Sequence, residues 1–287
     1  MKREGWCGGL GDLVVKIPFT KMHGLGNDYI YIDGFKTPAE TLPDPAALAV
    51  RLSPRRFSVG ADGLVLILPS KVAHARMHMF NADGSEGLMC GNAIRCVGKY
   101  LYERGLVSPD TRALTVETAA GIKTLALTVE AGEVIRVTVD MGEAFVSDGE
   151  DVVLAAGKEY RLIPVSVGNP HGVIFVEATT EEEIFAVGPT LSESRPGGIN
   201  VELAEVLDAT HVRMRVYERG SGVTLACGTG ACAVVAAAVA RGLCPADTPV
   251  TVSLYGGDLT VTSASDGRLF MAGPAAFAYD GVAEITV

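Results

Sequence analysis

Two cysteines in this chain, Cys90 and Cys227, each stand directly before a glycine (Gly91 and Gly228) and just ahead of a segment that reads as a helix. A thiol placed there faces the unpaired N–H groups and the positive end of the helix dipole, which lowers its pKa and favours the thiolate. The adjacent glycine lets a ligand come close to the backbone. One thiolate and one thiol on opposite sides of a substrate carbon form a two-base device, taking a proton from one face and returning one to the other. The same helix starts would hold a carboxylate on that carbon and stabilise the negative charge that develops there. A structural or redox disulfide between Cys90 and Cys227 is the competing reading of the same facing geometry. A zinc site from Cys90, Cys96, Cys227 and Cys232 fits poorly, since five or six helical residues turn a side chain by roughly 140° or 240°. Cys7, Cys96, Cys232 and Cys244 read as buried filler.

The elements that position the pair come from an internal repeat. Arg76-Met-His-Met-Phe80 lies 137 residues before Arg213-Met-Arg-Val-Tyr217, and at the same offset Leu88-Met-Cys-Gly91 falls on Leu225-Ala-Cys-Gly228. Arg104-Gly-Leu106 falls on Arg241-Gly-Leu243, and Asp110-Thr111 on Asp247-Thr248. A fainter echo lies upstream, where Gly26-Asn27 and Gly168-Asn169 each precede an apolar run. Two halves of like fold are therefore expected, and so long a period seen only twice does not fit a solenoid. One helix is predicted from about Asn92 to Arg104, stopped by Gly105, with Arg95, Lys99 and Glu103 as a polar stripe reaching water or a partner. The other is predicted from about Thr229 to Arg241, stopped by Gly242; it is apolar all round and must be buried on every side. Alternating stretches such as Leu114 to Glu117, Val134 to Val139 and Leu259 to Thr262 read as strands. The expected fold is α+β: two homologous, pseudo-symmetric domains, each a β-sheet or barrel wrapped around a central helix. Residues 1–141 would form the half carrying Cys90 (1–15 a tail), 142–274 the half carrying Cys227, and 275–287 a strand returning to the first domain.

Composition narrows the function further. The 287 residues are 48% apolar, enough for a packed core and too many for a disordered chain. A net charge of −10 with no basic patch argues against nucleic-acid or anionic-membrane partners. No run approaches a membrane span, and no signal peptide is visible. Six cysteines with no C-x-x-C pair point to a reducing cytoplasm. The five histidines, His23, His74, His78, His171 and His211, show no metal-ligand spacing, so no metal is expected. Gly24-Leu-Gly-Asn-Asp-Tyr29 lacks the third glycine of a dinucleotide fingerprint and precedes a strand. Without a P-loop or a Gly-x-Ser-x-Gly elbow, nothing asks for a cofactor. His171, beside its Gly-Asn turn, is placed to tune a cysteine.

The residues resemble the diaminopimelate epimerase family. The matches run in order through Lys21-Met-His-Gly-Leu-Gly-Asn-Asp28, Phe80-Asn-Ala-Asp-Gly-Ser-Glu86, Met89-Cys-Gly-Asn92 with Arg95-Cys96, and Gly168-Asn-Pro-His171. They continue through Asn200-Val201, Tyr217-Glu-Arg-Gly220, Ala226-Cys-Gly-Thr-Gly-Ala231 and Tyr279-Asp-Gly281. The resemblance implies cofactor-independent inversion at one α-carbon of L,L-2,6-diaminopimelate, giving the meso form used for lysine and peptidoglycan. It maps the catalytic pair onto Cys90 and Cys227. Substrate contacts map onto Asn27, Asn81, Gly91, Asn92, Asn169, Asn200, Glu218, Arg219, Gly228 and Thr229. His171 and Glu218 match positions that adjust the cysteines' proton affinity, and Tyr279 matches a dimer contact, so a homodimer is expected. Arg219 offers a bidentate fork for a distal carboxylate, and Glu218 with the asparagines can accept from a distal ammonium. Two departures stand out: Gly63 where some members carry Gln, and Val223 where Glu is usual. A proline racemase-like enzyme is the alternative of the same fold, disfavoured by Glu218-Arg219, since proline has no distal amino-acid end. A thiol-redox or small-ligand binding protein is the alternative of another class.

Overall fold

A computed structural model describes residues 14–286; most of the expected tail 1–15, together with Cys7, lies outside the described residues. Val14 and Val15 already belong to strand Val14–Gly24, where they pair with Thr286 and Ile285. The described chain is mostly strand, with four α-helices: α1 (Pro45–Leu52), α2 (Gly91–Glu103), α3 (Glu181–Ser192) and α4 (Gly228–Ala240). The 137-residue offset carries α2 onto α4 from first residue to last.

The pseudo-symmetry appears in the strand pairing. In the first half Val14–Gly24 pairs antiparallel with Asn27–Asp33, which runs parallel to Gly63–Leu68. Gly63–Leu68 pairs antiparallel with Ala75–Asn81, which runs parallel to Ala113–Thr118, followed by the meander Gly121–Glu130 and Glu133–Glu143. The second half repeats the order: Lys158–Ser166, Pro170–Phe175, parallel Asn200–Asp208, His211–Glu218, parallel Pro249–Leu254, then Gly257–Ser263 and Arg268–Gly273. The last strands of the halves, Glu133–Glu143 and Arg268–Gly273, pair with each other and place Val139 opposite Met271. Strand Ala276–Thr286 pairs antiparallel with Val14–Gly24.

Each half curls around one helix. The sheet packs on α2 through strands including Asn27–Asp33 and Glu133–Glu143, and on α4 through strands including Asn200–Asp208 and Gly257–Ser263. A single core spans both halves, with Ile94, Val97 and Leu101 of α2 and Val234, Val235 and Ala238 of α4 inside it. The body of α4 from Ala231 to Ala238 is buried, as an all-apolar helix requires. Both helices stop at a glycine in the left-handed region, Gly105 (φ 70°) and Gly242 (φ 69°), where a side chain would be strained.

The polar stripe of α2 is largely enclosed, with only Lys99 and Glu103 keeping part of their side chains in water. Arg95 is fully buried, its Nε donating to the Pro274 carbonyl and one Nη to the Gly91 carbonyl. Lys99 donates to Glu103 and to the Val134 carbonyl, while Glu103 accepts from the Val134 N–H. The sheet leaves backbone groups free at the start of strand Glu133–Glu143, and the stripe satisfies them.

Candidate active site

Cys90 and Cys227 are the N-cap residues of α2 and α4, both in extended backbone (φ −129° and −116°). The two helix starts meet over Met271. A Cβ on Gly91 would lie 2.8 Å from Met271 Cε, and one on Gly228 would lie 2.9 Å from Met271 Sδ and 3.8 Å from the Gly91 Cα. This is a close approach that glycine alone permits. The side chain of Asn92 crosses the junction, its Nδ2 donating to the Ala226 carbonyl at 3.1 Å. Two thiols and two sets of unpaired helix N–H groups therefore converge from the two halves on one place.

Each thiol has its own partners. The Cys90 thiol donates to Asn27 Oδ1 at 3.4 Å, and Asn27 Nδ2 donates in turn to Asp62 at 2.9 Å. Cys227 Sγ accepts from the Gly230 N–H at 3.4 Å and lies 3.6 Å from the Thr229 hydroxyl. Thr229 Oγ1 accepts from Asn169 Nδ2 at 3.3 Å, and Asn169 Oδ1 lies 3.1 Å from His171 Nε2. His171 Nδ1 faces Glu202 Oε1 at 2.7 Å, with both side chains fully buried. On the other side, the Thr224 hydroxyl donates to Glu218 Oε1 at 2.5 Å, and the Glu218 carboxylate stands close enough to raise both thiols.

The protonation differs from the sequence expectation. Burial pushes the Cys90 thiol up, against the Ala93 and Asn92 N–H groups of the helix start. Burial, then Glu218 and Glu202, push Cys227 up further, opposed by Thr229 and the Gly230 N–H. Both cysteines are thiols at neutral pH with no ligand between them, because desolvation outweighs the helix termini. Burial also raises Glu218, although its bond from Thr224 acts the other way.

The sequence of this chain matches the profile of the family described as Diaminopimelate epimerase over residues 19–146 and 163–278. The chain belongs to that family. Among relatives bearing the name Diaminopimelate epimerase, the protein of Acetivibrio thermocellus is 46% identical over 282 residues, covering 93% of this chain and 98% of its own. That of Methanococcus maripaludis (strain S2) is 45% identical, covering 93% and 99%. The fold is shared more widely. A hydroxyproline epimerase from Agrobacterium vitis superposes with a TM-score of 0.71 at 18% identity, covering 94% of this chain and 92% of that one. A PhzF-family phenazine biosynthesis protein of Bacillus anthracis gives 0.70 at 18%, covering 95% and 100%.

For a diaminopimelate epimerase relative, the remaining candidate residues are placed unevenly. Asn200 Oδ1 accepts from the Arg219 N–H at 2.9 Å, shaping the turn that carries Glu218 and Arg219. The Arg219 guanidinium is exposed and donates to the Gly197 carbonyl at 2.7 Å; it does not pair with Glu218. Asn81 is exposed at the end of strand Ala75–Asn81, where it donates to Ser85, and it makes no hydrogen bond to the thiol network. Tyr279 is half-exposed and borders a groove of about 350 Å³ with Lys21, Asp28 and Arg55, which neither cysteine lines. A Cβ on Gly63 would collide with the Phe80 carbonyl, so the side chain found there in some members has no room on this backbone. Beside Val223, Thr224 rather than an acid supports Glu218.

Sequence reasoning does not single out Glu202 or Asp62, and it places Arg95 on a solvated stripe rather than in the core. Glu202 had a legible signal, a lone acid in the run Val201-Glu-Leu-Ala204, because a charge on a buried strand needs a partner. Asp62 accepts from the Asn27 side chain, the Asp28 N–H and Arg55, and Arg95 donates to the Pro274 and Gly91 carbonyls, partners that spacing along the chain does not reveal.

Proposed function

We propose that this protein interconverts L,L- and meso-2,6-diaminopimelate by a two-base mechanism carried by Cys90 and Cys227. The observation that carries the reading is the meeting of two cysteine-capped helix starts over Met271. The substrate α-carboxylate lies against the N–H groups of Gly91, Asn92, Gly228 and Thr229, where two helix dipoles favour negative charge. One cysteine, having given its proton to solvent, takes the α-proton as a thiolate; the carbanion's charge spreads into the carboxylate held at the helix starts. The other thiol gives its proton to the opposite face, so the site ends with the two cysteines' protonation exchanged. His171 and Glu218 adjust the proton affinity of the thiols. At the distal end Arg219 binds the second carboxylate, while Glu218, Asn27, Asn81, Asn169 and Asn200 serve the ammonium and the chain between.

The reaction uses protein groups alone. We further propose the division at 141/142 and 274/275, which the repeated strand order supports, and a homodimer with Tyr279 at its contact, supported by the exposure of that ring. Among the described residues no helix is long and apolar enough to cross a membrane. A cytoplasmic site of action accords with the free thiols Cys90, Cys96, Cys227, Cys232 and Cys244.

Incubating reduced protein with L,L-diaminopimelate in D₂O tests the reading. Deuterium should enter the α-carbon as the meso form appears, without added cofactor. Unchanged substrate, or stereoinversion confined to proline, would reject it.

A further inference from the structure

Glu202 lies outside the residues assigned above, yet it ends a chain of contacts that reaches Cys227. Its carboxyl is fully buried; Oε1 sits 2.7 Å from His171 Nδ1, and Oε2 has no hydrogen-bond partner. It presses against the start of α4, where a Cβ on Gly230 would come within 2.7 Å of Oε1. The protons along the chain can be counted from its partners. Asn169 Oδ1 only accepts, so His171 Nε2 must carry a hydrogen to bond it. Nδ1 and Oε1 at 2.7 Å need a second proton between them.

We infer that Glu202 is a positioning residue for Cys227: by keeping His171 Nε2 a donor it fixes the Asn169 amide and so aims the Thr229 hydroxyl at the Cys227 sulfur. The alternative network shows why the acid matters. If Nε2 lost its hydrogen it would accept from the Asn169 amide, and the flipped amide would present Oδ1 to Thr229. The threonine proton would then be spent on Asn169, and Cys227 would lose a donor that stabilises its thiolate. Cys90, whose partner is Asn27, has no share in this chain.

The inference builds on Cys227 as one of the proposed acid–base pair, but its test runs without substrate, so its failure is separate from failure of the epimerase reading. The measurement is the alkylation rate of each cysteine by iodoacetamide at fixed neutral pH, mapped by peptide mass in intact protein. Loss of the Glu202 charge alone would ease ionisation of Cys227 and speed its alkylation, so a slower rate isolates the hydrogen-bond chain: Glu202→Leu should slow Cys227 about ten-fold, the worth of a hydrogen bond to a charged group, and leave Cys90 unchanged. Glu202→Gln, whose amide can donate to Nδ1 and preserve Nε2–H, should retain at least the wild-type rate. Thr229→Val should show the same loss as Glu202→Leu, and the double variant should lose no more, because both remove one interaction. Should Glu202→Leu fail to fold, Asn169→Leu interrupts the chain at a half-buried position and carries the same expectation. An unchanged Cys227 rate, equal losses at both cysteines, or losses that multiply in the double variant would overturn the inference.

Discussion

At the level of single residues the site combines what spacing reveals with what it hides. A Cys-Gly pair at a helix start announces itself in the sequence, because the N-cap position and the glycine are local features. The protonation state is not local: the strands that bury Cys227 and bring Glu218 and Glu202 near it come from distant segments, and they reverse the direction expected from the dipole alone. Because both thiols are raised, only a small thiolate fraction exists at neutral pH. The alkylation rate of either cysteine should therefore climb about ten-fold per pH unit from about pH 7 to about pH 9; a plateau already at neutral pH would show that the helix termini prevail. Replacing Cys90 or Cys227 with Ala should cut epimerisation at least about a thousand-fold, since inversion needs a base and an acid on opposite faces, and near wild-type turnover in Cys227→Ala would eliminate the two-base reading. Arg219 has a different signature. Its guanidinium is exposed and held by the Gly197 carbonyl, so Arg219→Met should leave thermal stability within about 0.5 kcal/mol. If it binds the distal carboxylate, the same change should raise KM about a hundred-fold while the cysteines keep their reactivity. An unaltered KM would demote Arg219 to a surface role.

Helices and strands were legible where one face or one end decides them. The all-apolar α4 and the glycine stops of both central helices followed from composition and backbone preference. The stripe of α2 has the spacing of a solvated face, yet Arg95 is buried and Lys99 and Glu103 are mostly covered, because their partners, the Pro274 carbonyl between two strands and the Val134 carbonyl and N–H, are remote in sequence. Gly63 makes a comparable point for strands. In sequence it looks like a place for a lost side chain, whereas in the sheet its Cα faces the Phe80 carbonyl across an antiparallel register in which Gly63 pairs with Asn81. Backbone in the middle of a sheet cannot retreat. Gly63→Ala should therefore cost about 3 kcal/mol or more in chemical denaturation, the upper range for overpacking. A loss under about 1 kcal/mol would mean that the strands part more easily than the packing indicates.

Over the whole molecule, the repeat at an offset of 137 residues was visible because strand, Cys-Gly and helix recur in order, but the way the halves join was not. Strands Glu133–Glu143 and Arg268–Gly273 each close the meander of their own half, and nothing in either sequence names the other as its partner. Their pairing closes a single core around both helices, and that core buries thiols throughout its depth. Cys90, Cys96, Cys227, Cys232 and Cys244 are all raised by burial from the ordinary 9.0, Cys96 to about 11 and Cys232 to about 12. The sign of the consequence is fixed by linkage. As pH rises past 9.0 the unfolded chain releases these protons while the folded chain keeps them, so the unfolded state gains. Stability is fully present below that pH and is lost as pH climbs toward the folded values. Under reducing conditions Tm should hold steady to about pH 9 and then fall with increasing slope. Cys232→Ala should start lower, because it leaves a small cavity in α4, but decline less steeply, one thiol having been removed from the balance. A Tm that stays flat to about pH 10.5, or a Cys232→Ala curve parallel to the wild type, would show that the buried thiols do not set the alkaline limit.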